Sequence, residues 1–439
     1  MKILLLDNDG EGMGVDLAVR SQESGHEVSY WLPTKKGEQL PYGDGLVNKV
    51  DDWEEAIEGQ DLVVLTGNST YSGKLAEYFG RGYPIFGANA KAAELELDRA
   101  KGQEVLAEAG IETIPYQVVE SAQEAIDLIC ETGEAYAMKP YGGEADKSMT
   151  CVASTPDEAI FTLQKWERDG KFKGGLMMQE RVTGVEMGIA GWFGPAGWSK
   201  VIEESFEHKK MMNDDYGPNT GEQGTVLRHV TESKLFDMIL SPLTDYLHQL
   251  NYIGCCSVNC IIDKKGTPWP LEFTNRLGWP AACIMQEVVQ NDPIQWMHDL
   301  LHGEDTLNVS PKIALGVVLT HGDYPWCHDP AGTWDDFPIY GITKDNYRHL
   351  HFQQVKAGTA PSLINGKIEH VSEILTAGCY VLVATGSART VSAAQDECYE
   401  VARSLDWPSD VMMRTDIGNR LEKELPLIQK KGFAMGMKY

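Results

Sequence analysis

Four short apolar runs in the first 98 residues, separated by amphipathic stretches, constrain this chain more than any other feature of it. Lys2 to Asp7, Glu27 to Leu32, Asp61 to Thr66 and Pro84 to Gly87 read as strands. Between them, Val15 to Ser24, Trp53 to Ile57 and Gly73 to Phe79 carry helical spacing. Strands that alternate with helices pair in parallel through crossovers, so the pattern predicts a doubly wound parallel sheet. The first turn, Asp7-Asn8-Asp9-Gly10-Glu11-Gly12-Met13-Gly14, is glycine-rich but departs from a dinucleotide fingerprint. Its last glycine comes one position early, with Val15 in the required place, and the second strand ends in Tyr30-Trp31-Leu32 without a ribose-binding acid. Three acids in the turn would also repel a pyrophosphate, which argues against a nicotinamide enzyme.

Length favours roughly three domains in 439 residues. Hydrophobic residues at 42% and charged residues at 23% are those of a soluble globular protein. No run approaches the ~18 apolar residues of a membrane span. The apolar start, Ile3 to Leu6, is too short for a signal peptide. Nine cysteines lie mostly in apolar stretches, with no Cys-x-x-Cys pair and no zinc spacing, which points to a reducing cytoplasm. A net charge of −27 opposes non-specific binding to DNA, RNA or anionic membranes. A polyanionic substrate would need a local basic pocket.

Several segments carry chemistry. After a helix from Arg99 to Ala109 comes an α+β unit: helix Ala122 to Thr132, strand Ala135 to Pro140, strand Met149 to Ala153, helix Thr155 to Asp169 and strand Leu176 to Val182. Lys139 closes one strand, and Lys147 sits in the following glycine-containing loop, Tyr141 to Ser148. Two such lysines either clamp nucleotide phosphates or are solvated on a surface hairpin. The run Asp214 to Gly224 is polar, dense in turn formers and reads as a functional or disordered loop. From Tyr252 to Arg276 an apolar hairpin ends in Glu272-Phe273-Thr274-Asn275-Arg276. That cluster either holds a metal or phosphate, or is a surface ion pair between Glu272 and Arg276. The last ~130 residues read as a separate α+β domain.

In this order the pieces resemble the phosphoribosylamine–glycine ligase family of the ATP-grasp superfamily. Gly217-Pro218-Asn219-Thr220-Gly221 preceded by His208-Lys209 is the most specific match. Ile85-Phe86-Gly87, Ala92-Ala93-Glu94-Leu95-Glu96, Leu315-Gly316-Val317-Val318 with Tyr324-Pro325, and Asp416-Ile417-Gly418 also fit. The resemblance implies an α/β and α+β fold: a Rossmann-like domain over 1–98, an ATP-grasp domain over 99–310 with a lid at about 111–182, and an α+β cap over 311–439. It implies a cytoplasmic ADP-forming carboxylate–amine ligase, with an acyl phosphate intermediate, ATP and Mg2+ (or Mn2+). Its partners would be an amino acid such as glycine and an amine, and the chain a monomer or small homo-oligomer. By the same resemblance Arg99, Lys139, Lys147, Gln179, Glu180, Val182 and Glu186 would contact ATP. Glu272 would bind metal, and Arg276 with Lys139 would steady the transferred phosphate. His208, Lys209, Pro218, Asn219, Thr220 and Gly221 would hold substrate.

The departures from the family pattern are concentrated. Thr274 stands where the family has a metal-binding asparagine, and Asn275 comes one position later. Strand alternation puts Glu272, Thr274 and Arg276 on one face, so either Thr274 is a weaker ligand or a bulge returns Asn275. Asn259 is a further candidate ligand. Asp146 and Ser148 replace phosphate-loop glycines, and Arg99 replaces a lysine. Asp9-Gly10-Glu11-Gly12-Met13 stands where the family has an arginine-bearing turn for the phosphoribosylamine, which predicts an altered amine acceptor. An authentic phosphoribosylamine–glycine ligase, or a non-catalytic nucleotide-binding relic, are the alternatives.

Overall fold

The computed structural model describes residues 1–7, 11–34, 39–71, 73–141, 150–172, 175–330 and 332–439. The expectations for Asn8, Asp9, Gly10, Asp146, Lys147 and Ser148 lie outside the described residues. The chain opens with β1 (Lys2–Leu6), α1 (Val15–Glu23), β2 (Glu27–Trp31), α2 (Trp53–Ala56), β3 (Leu62–Leu65), α3 (Ala76–Gly80), β4 (Ile85–Phe86) and α4 (Ala90–Leu97). All the strand pairs are parallel, in the order β2-β1-β3-β4. Ile3 to Leu6 and Leu62 to Leu65 are wholly buried, which is why they read as continuous apolar runs rather than alternating ones. Gly87 follows β4 at φ 151°, and a Cβ there would stand 2.7 Å from the Leu65 side chain. Only glycine lets the chain leave the sheet at that point.

Next come α5 (Arg99–Glu108), β5 (Tyr116–Val119), α6 (Ala122–Thr132), β6 (Tyr136–Tyr141), β7 (Cys151–Val152), α7 (Pro156–Arg168) and β8 (Gly175–Glu180). The strands form an antiparallel sheet in the order β5-β8-β6-β7. Both helices start on a side-chain cap. Ser121 accepts from the Glu124 amide and Thr155 from the Glu158 amide, while each glutamate reaches back to an amide just before its cap. Ala125, Ile129, Leu163, Met138, Leu176 and Met178 fill the space between helices and sheet. Each large apolar side chain so buried contributes about 1.5–3 kcal/mol.

The middle of the chain is mostly strand: β9 (Gly184–Gly194), β10 (Gly197–Lys210) and β11 (Asn219–Val230), then α8 (Lys234–Ile239), α9 (Thr244–Gln249), β12 (Gly254–Asp263) and β13 (Pro268–Thr274). This corrects the reading of Asp214 to Gly224 as a loop throughout. Asn219 pairs with Lys210 and Gly224 with His208, so the turn is confined to 211–218. Among the described residues the polar first half of β11 pairs with β10 alone, so no apolar face marks it as a strand. Its pairing with the buried strand at Ile313–Thr320 starts at Gly224.

The remainder comprises α10 (Ala281–Gln286), α11 (Gln295–Leu301), β14 (Ile313–Thr320), β15 (Asp335–Pro338), β16 (Leu350–Phe352), β17 (Val355–Ile364), β18 (Lys367–Ala377), β19 (Tyr380–Ala388), α12 (Val391–Arg403) and α13 (Leu421–Gln429). Strands β10, β11, β14, β19 and β16 are successive neighbours in one antiparallel sheet, and β15-β18-β17 form another. The chain divides into two compact units. One holds Met1–Ala93, Met187–Ser257 and Thr274–Tyr439, the other Glu94–Glu186 and Val258–Phe273. Strands β9, β12 and β13 each run from one unit into the other.

Candidate active site

In the smaller unit, helix α5 is pinned to strand β13. The Gln103 amide donates to the Leu271 carbonyl at 3.1 Å, and a Cβ on Gly102 would meet the Leu95 carbonyl at 2.5 Å and Phe273 at 3.2 Å. This close fit brings Arg99, at the first turn of α5, to Glu272. Arg99 Nη2 donates to Glu272 Oε2 at 3.5 Å and Nη1 to Thr150 Oγ1 at 3.1 Å. Glu272 is therefore bound to Arg99, a partner that strand alternation alone does not reveal. Its side chain keeps 38% exposure, enough for a further ligand.

Lys139 lies on β6 opposite Met177 and is buried. A cation held at that depth requires anionic company. Gln179, on β8, is fully buried, and its Nε2 has no hydrogen-bond partner among the described residues. An unsatisfied buried donor costs about 1–3 kcal/mol, which suits a position that receives an acceptor from a ligand. Glu180 is exposed and its amide is tied to the Pro115 carbonyl at 3.0 Å, while Val182 is half-buried in the link to β9. Glu186 is half-buried on β9, and Cys260 lies near it, its thiol pushed up by burial and then by the Glu186 charge. Asn259 is buried on β12, the strand beside β13. Glu272 and Asn259 carry oxygens of the kind a hard divalent cation takes, and Lys139, Arg99 and Gln179 carry donors of the kind a nucleotide's anionic and acceptor groups take.

Burial alternates along the end of the hairpin: Glu272, Thr274 and Arg276 are half-buried, and Phe273, Asn275 and Leu277 are buried. Asn275 is wholly enclosed and its Nδ2 donates to the Ala92 carbonyl at 2.9 Å. Arg276 Nη1 donates to the Leu277 carbonyl at 3.1 Å.

In the larger unit the β10–β11 hairpin is anchored by a residue the motif reading passed over. Arg414, 1% exposed, gives both outer guanidinium edges away: Nε and Nη2 to Asp416 and Nη1 to Asp215 and the Lys210 carbonyl, each at 2.8–2.9 Å. Burial opposes ionisation of Asp416, yet Arg414 holds its carboxyl below the usual carboxylate range. The Asp214 amide adds a 2.8 Å bond to Asp416, and Asn213 and Thr415 exchange two more. The only signal in sequence was position, two residues before Asp416-Ile417-Gly418.

His208 is buried, and burial, reinforced by Arg420 and Arg414, pushes it down to about 3, so its imidazole is neutral. Its Nε2 accepts the Gly418 amide at 3.2 Å, which leaves the proton on Nδ1. Lys209 pairs with Glu207 at 3.2 Å and lends its carbonyl to Thr220 Oγ1. Pro218 lends its carbonyl to the Met211 amide. Gln223 Nε2 donates to Thr220 and to the Tyr324 hydroxyl. Asn219 and Gly221 are exposed at the start of β11.

The first β–α turn holds a correction. Asp7 does not project from it: it is fully buried, and its Oδ2 accepts from the Gly14 amide at 2.7 Å and the Tyr30 hydroxyl at 2.6 Å. Burial pushes this carboxyl up to about 6 in spite of those two bonds. A carboxylate thus occupies the amide at the N-terminus of α1, where an external anion would otherwise bind. Glu11, by contrast, is exposed.

Residues 98–282 match the model of the phosphoribosylglycinamide synthetase ATP-grasp (A) domain. The phosphoribosylamine–glycine ligase of Vibrio vulnificus is 26% identical over 363 residues, covering 79% of this chain and 80% of the relative. The crystal structure of phosphoribosylamine–glycine ligase from Thermotoga maritima superposes with a TM-score of 0.69 at 20% identity, over 95% of this chain and all of that one. Over most of its length the chain is similar to phosphoribosylamine–glycine ligases, and residues 98–282 fit that family's ATP-grasp domain. The ATP-grasp fold extends to N5-carboxyaminoimidazole synthetase of Staphylococcus aureus, solved with ADP, at a TM-score of 0.57 and 14% identity over 92% of this chain and 97% of that one. No helix among the described residues is long and apolar enough to cross a membrane.

Proposed function

We propose that this chain joins glycine, or a close analogue, to an amine other than phosphoribosylamine. Its likeness to these ligases supports an ATP-dependent carbon–nitrogen ligase that uses ATP and a divalent metal on small molecules. In our reading the carboxylate oxygen attacks the γ-phosphorus, the bond to the β-bridging oxygen breaks and ADP leaves. The amine nitrogen then attacks the acyl carbon, phosphate departs and the nitrogen gives up a proton. Lys139 and Arg99 would take the nucleotide phosphates, Gln179, Glu180 and Val182 the adenine, and Glu186 the ribose. Glu272, with Asn259 and Thr274, would hold Mg2+, which when bound neutralises phosphate charge. Arg276 would steady the transferred phosphoryl group, whose planar array of oxygens suits its fork. Asn219, Thr220 and Gly221 would orient the amino acid. We read Asn275 as an anchor of the strand end, since its amide is committed to Ala92.

The observation that carries the altered acceptor is Asp7. A sugar phosphate entering the first turn needs amides or cations. The Gly14 amide is spent on Asp7 and the neighbouring Glu11 adds negative charge. A neutral or cationic amine meets no such obstacle. A cytoplasmic location accords with nine cysteines, none of them in a disulfide. The test is ADP release with glycine and a panel of amines: phosphoribosylamine, neutral aminosugars, diamines and amine-bearing nucleosides. Phosphoribosylamine should be among the poorest. A wide lead for it would overturn this reading in favour of an ordinary purine-pathway ligase.

A further inference from the structure

Among the described residues, two clusters of metal-ligating side chains lie outside the site above, and they differ in one decisive respect. In the first, Asp16, Cys283 and His351 are buried together, but Arg20 already neutralises Asp16 at 2.9 Å and His351 spends its second nitrogen on Thr385. That cluster has its cation. In the second, Asp323, Cys327 and Cys379 bring one carboxylate oxygen and two sulfurs within 4.8 Å of one another. The Asp323 side chain takes the backbone amides of His328 and Asp329 and the Cys379 thiol, with no cationic side chain among these partners.

We propose that Asp323, Cys327 and Cys379 form a binding site for a thiolate-preferring divalent cation, Zn2+ above all. Cys379 Sγ stands 3.5 Å from Asp323 Oδ1. With Zn–S at about 2.3 Å and Zn–O at about 2.0–2.2 Å, the sulfur–oxygen edge of a tetrahedral site is also about 3.5 Å. The carboxylate is fixed before any metal arrives, because Oδ2 is held by the two amides and Oδ1 is left toward the sulfur. Cys327 adopts φ 49°, a conformation that residues other than glycine rarely take, and it does so at the one point where its sulfur joins the cluster. Two soft sulfurs and one oxygen select zinc over magnesium, and three protein ligands leave a fourth position for water. The cysteines are 52 positions apart in the chain, so sequence spacing carries no sign of the site.

The place of the cluster gives it a consequence. Cys379 precedes β19, and Cys327 lies three residues beyond Tyr324, whose hydroxyl receives Gln223 of β11. A bound ion would tie the Tyr324 turn to the sheet that carries the β10–β11 hairpin. On binding, each thiol gives its proton to solvent, so two protons are released per ion.

The proposal is independent of the acceptor chemistry and is tested on the full chain without turnover. Protein stripped with a chelator is titrated with Zn2+ against a chromogenic competitor, and with Co2+ for thiolate-to-metal charge-transfer bands. Wild type should bind one Zn2+ tightly and develop those bands. Cys327→Ser should lose at least 100-fold in affinity, as should Cys379→Ser; Cys327 is exposed, so its replacement leaves the core intact. Cys130→Ser, at an exposed thiol on α6, should bind as wild type does. Absence of stoichiometric zinc, absence of charge-transfer bands, or full affinity in Cys327→Ser would each overturn the site.

Discussion

Replacing Asp7 with asparagine should make this protein more stable at neutral pH, and the size of the gain follows from where the carboxyl sits. Asp7 is wholly enclosed, and one of its oxygens receives both Gly14 and Tyr30. Burial pushes its pKa up to about 6, against 3.8 for an ordinary aspartate. The folded chain therefore holds this proton more tightly than the unfolded chain does. The stabilisation that results is fully present below pH 3.8 and is lost as pH rises through 6. The difference between the two values corresponds to roughly 3 kcal/mol. Asparagine keeps an acceptor for Gly14 and Tyr30 and cannot ionise. Urea unfolding of wild type and Asp7→Asn at intervals from pH 4 to pH 8 gives the stability difference between them at each pH. That difference should shift in favour of the variant by about 2.4 kcal/mol across the range, most of it between pH 4 and 6.5. Any constant offset from altered hydrogen bonding cancels in this comparison. A flat difference, within about 0.5 kcal/mol, would refute the claim that the buried carboxyl ionises at a cost.

Three further outcomes follow from the geometry. Arg414→Met should cost about 3 kcal/mol in urea unfolding, because it strands the largely buried Asp416, while the half-exposed Asp215 contributes little; it should also raise KM for the amino acid, and unchanged stability would contradict the anchoring role. Glu272→Gln should lower metal-dependent turnover by more than tenfold through loss of a charged ligand, and an unaltered metal titration would count against the assignment. Asn219→Ala should raise KM for the amino acid far more than for ATP, since its side chain is exposed on the hairpin rather than bound in the sheet; equal effects on both substrates would point to a purely structural turn.

The sequence makes the N-terminal sheet legible because its strands are covered on both faces and so read as unbroken apolar runs, as in Ile3 to Leu6. Helices α6 and α7 are equally plain, since Ser121 and Thr155 cap them with a glutamate three positions on. The hairpin β17–β18 is not. Its strand Lys367–Ala377 begins with four exposed residues in a row, so no period of two marks a buried face. The polar start of β11 is hidden for a related reason: pairing with β10, a tertiary fact, decides its conformation over local propensity. Around the candidate site, residue types were readable and partners were not. Nothing between positions 99 and 272 announces that Arg99 will meet Glu272, and a buried Asp7 looks, in one dimension, like a surface acid.

The division of the chain also sets a timetable for its birth on the ribosome. Helix α5 waits for strand β13, because Gln103 and Arg99 close their bonds with Leu271 and Glu272 only when those residues have emerged. The stretch Met187–Ser257, which belongs to the other unit, must be translated in between. At typical translation rates that delay is on the order of 10 s. Through that interval the nascent small unit carries an uncovered helix face and an arginine without its carboxylate, a state that a chaperone or protease meets before any nucleotide does.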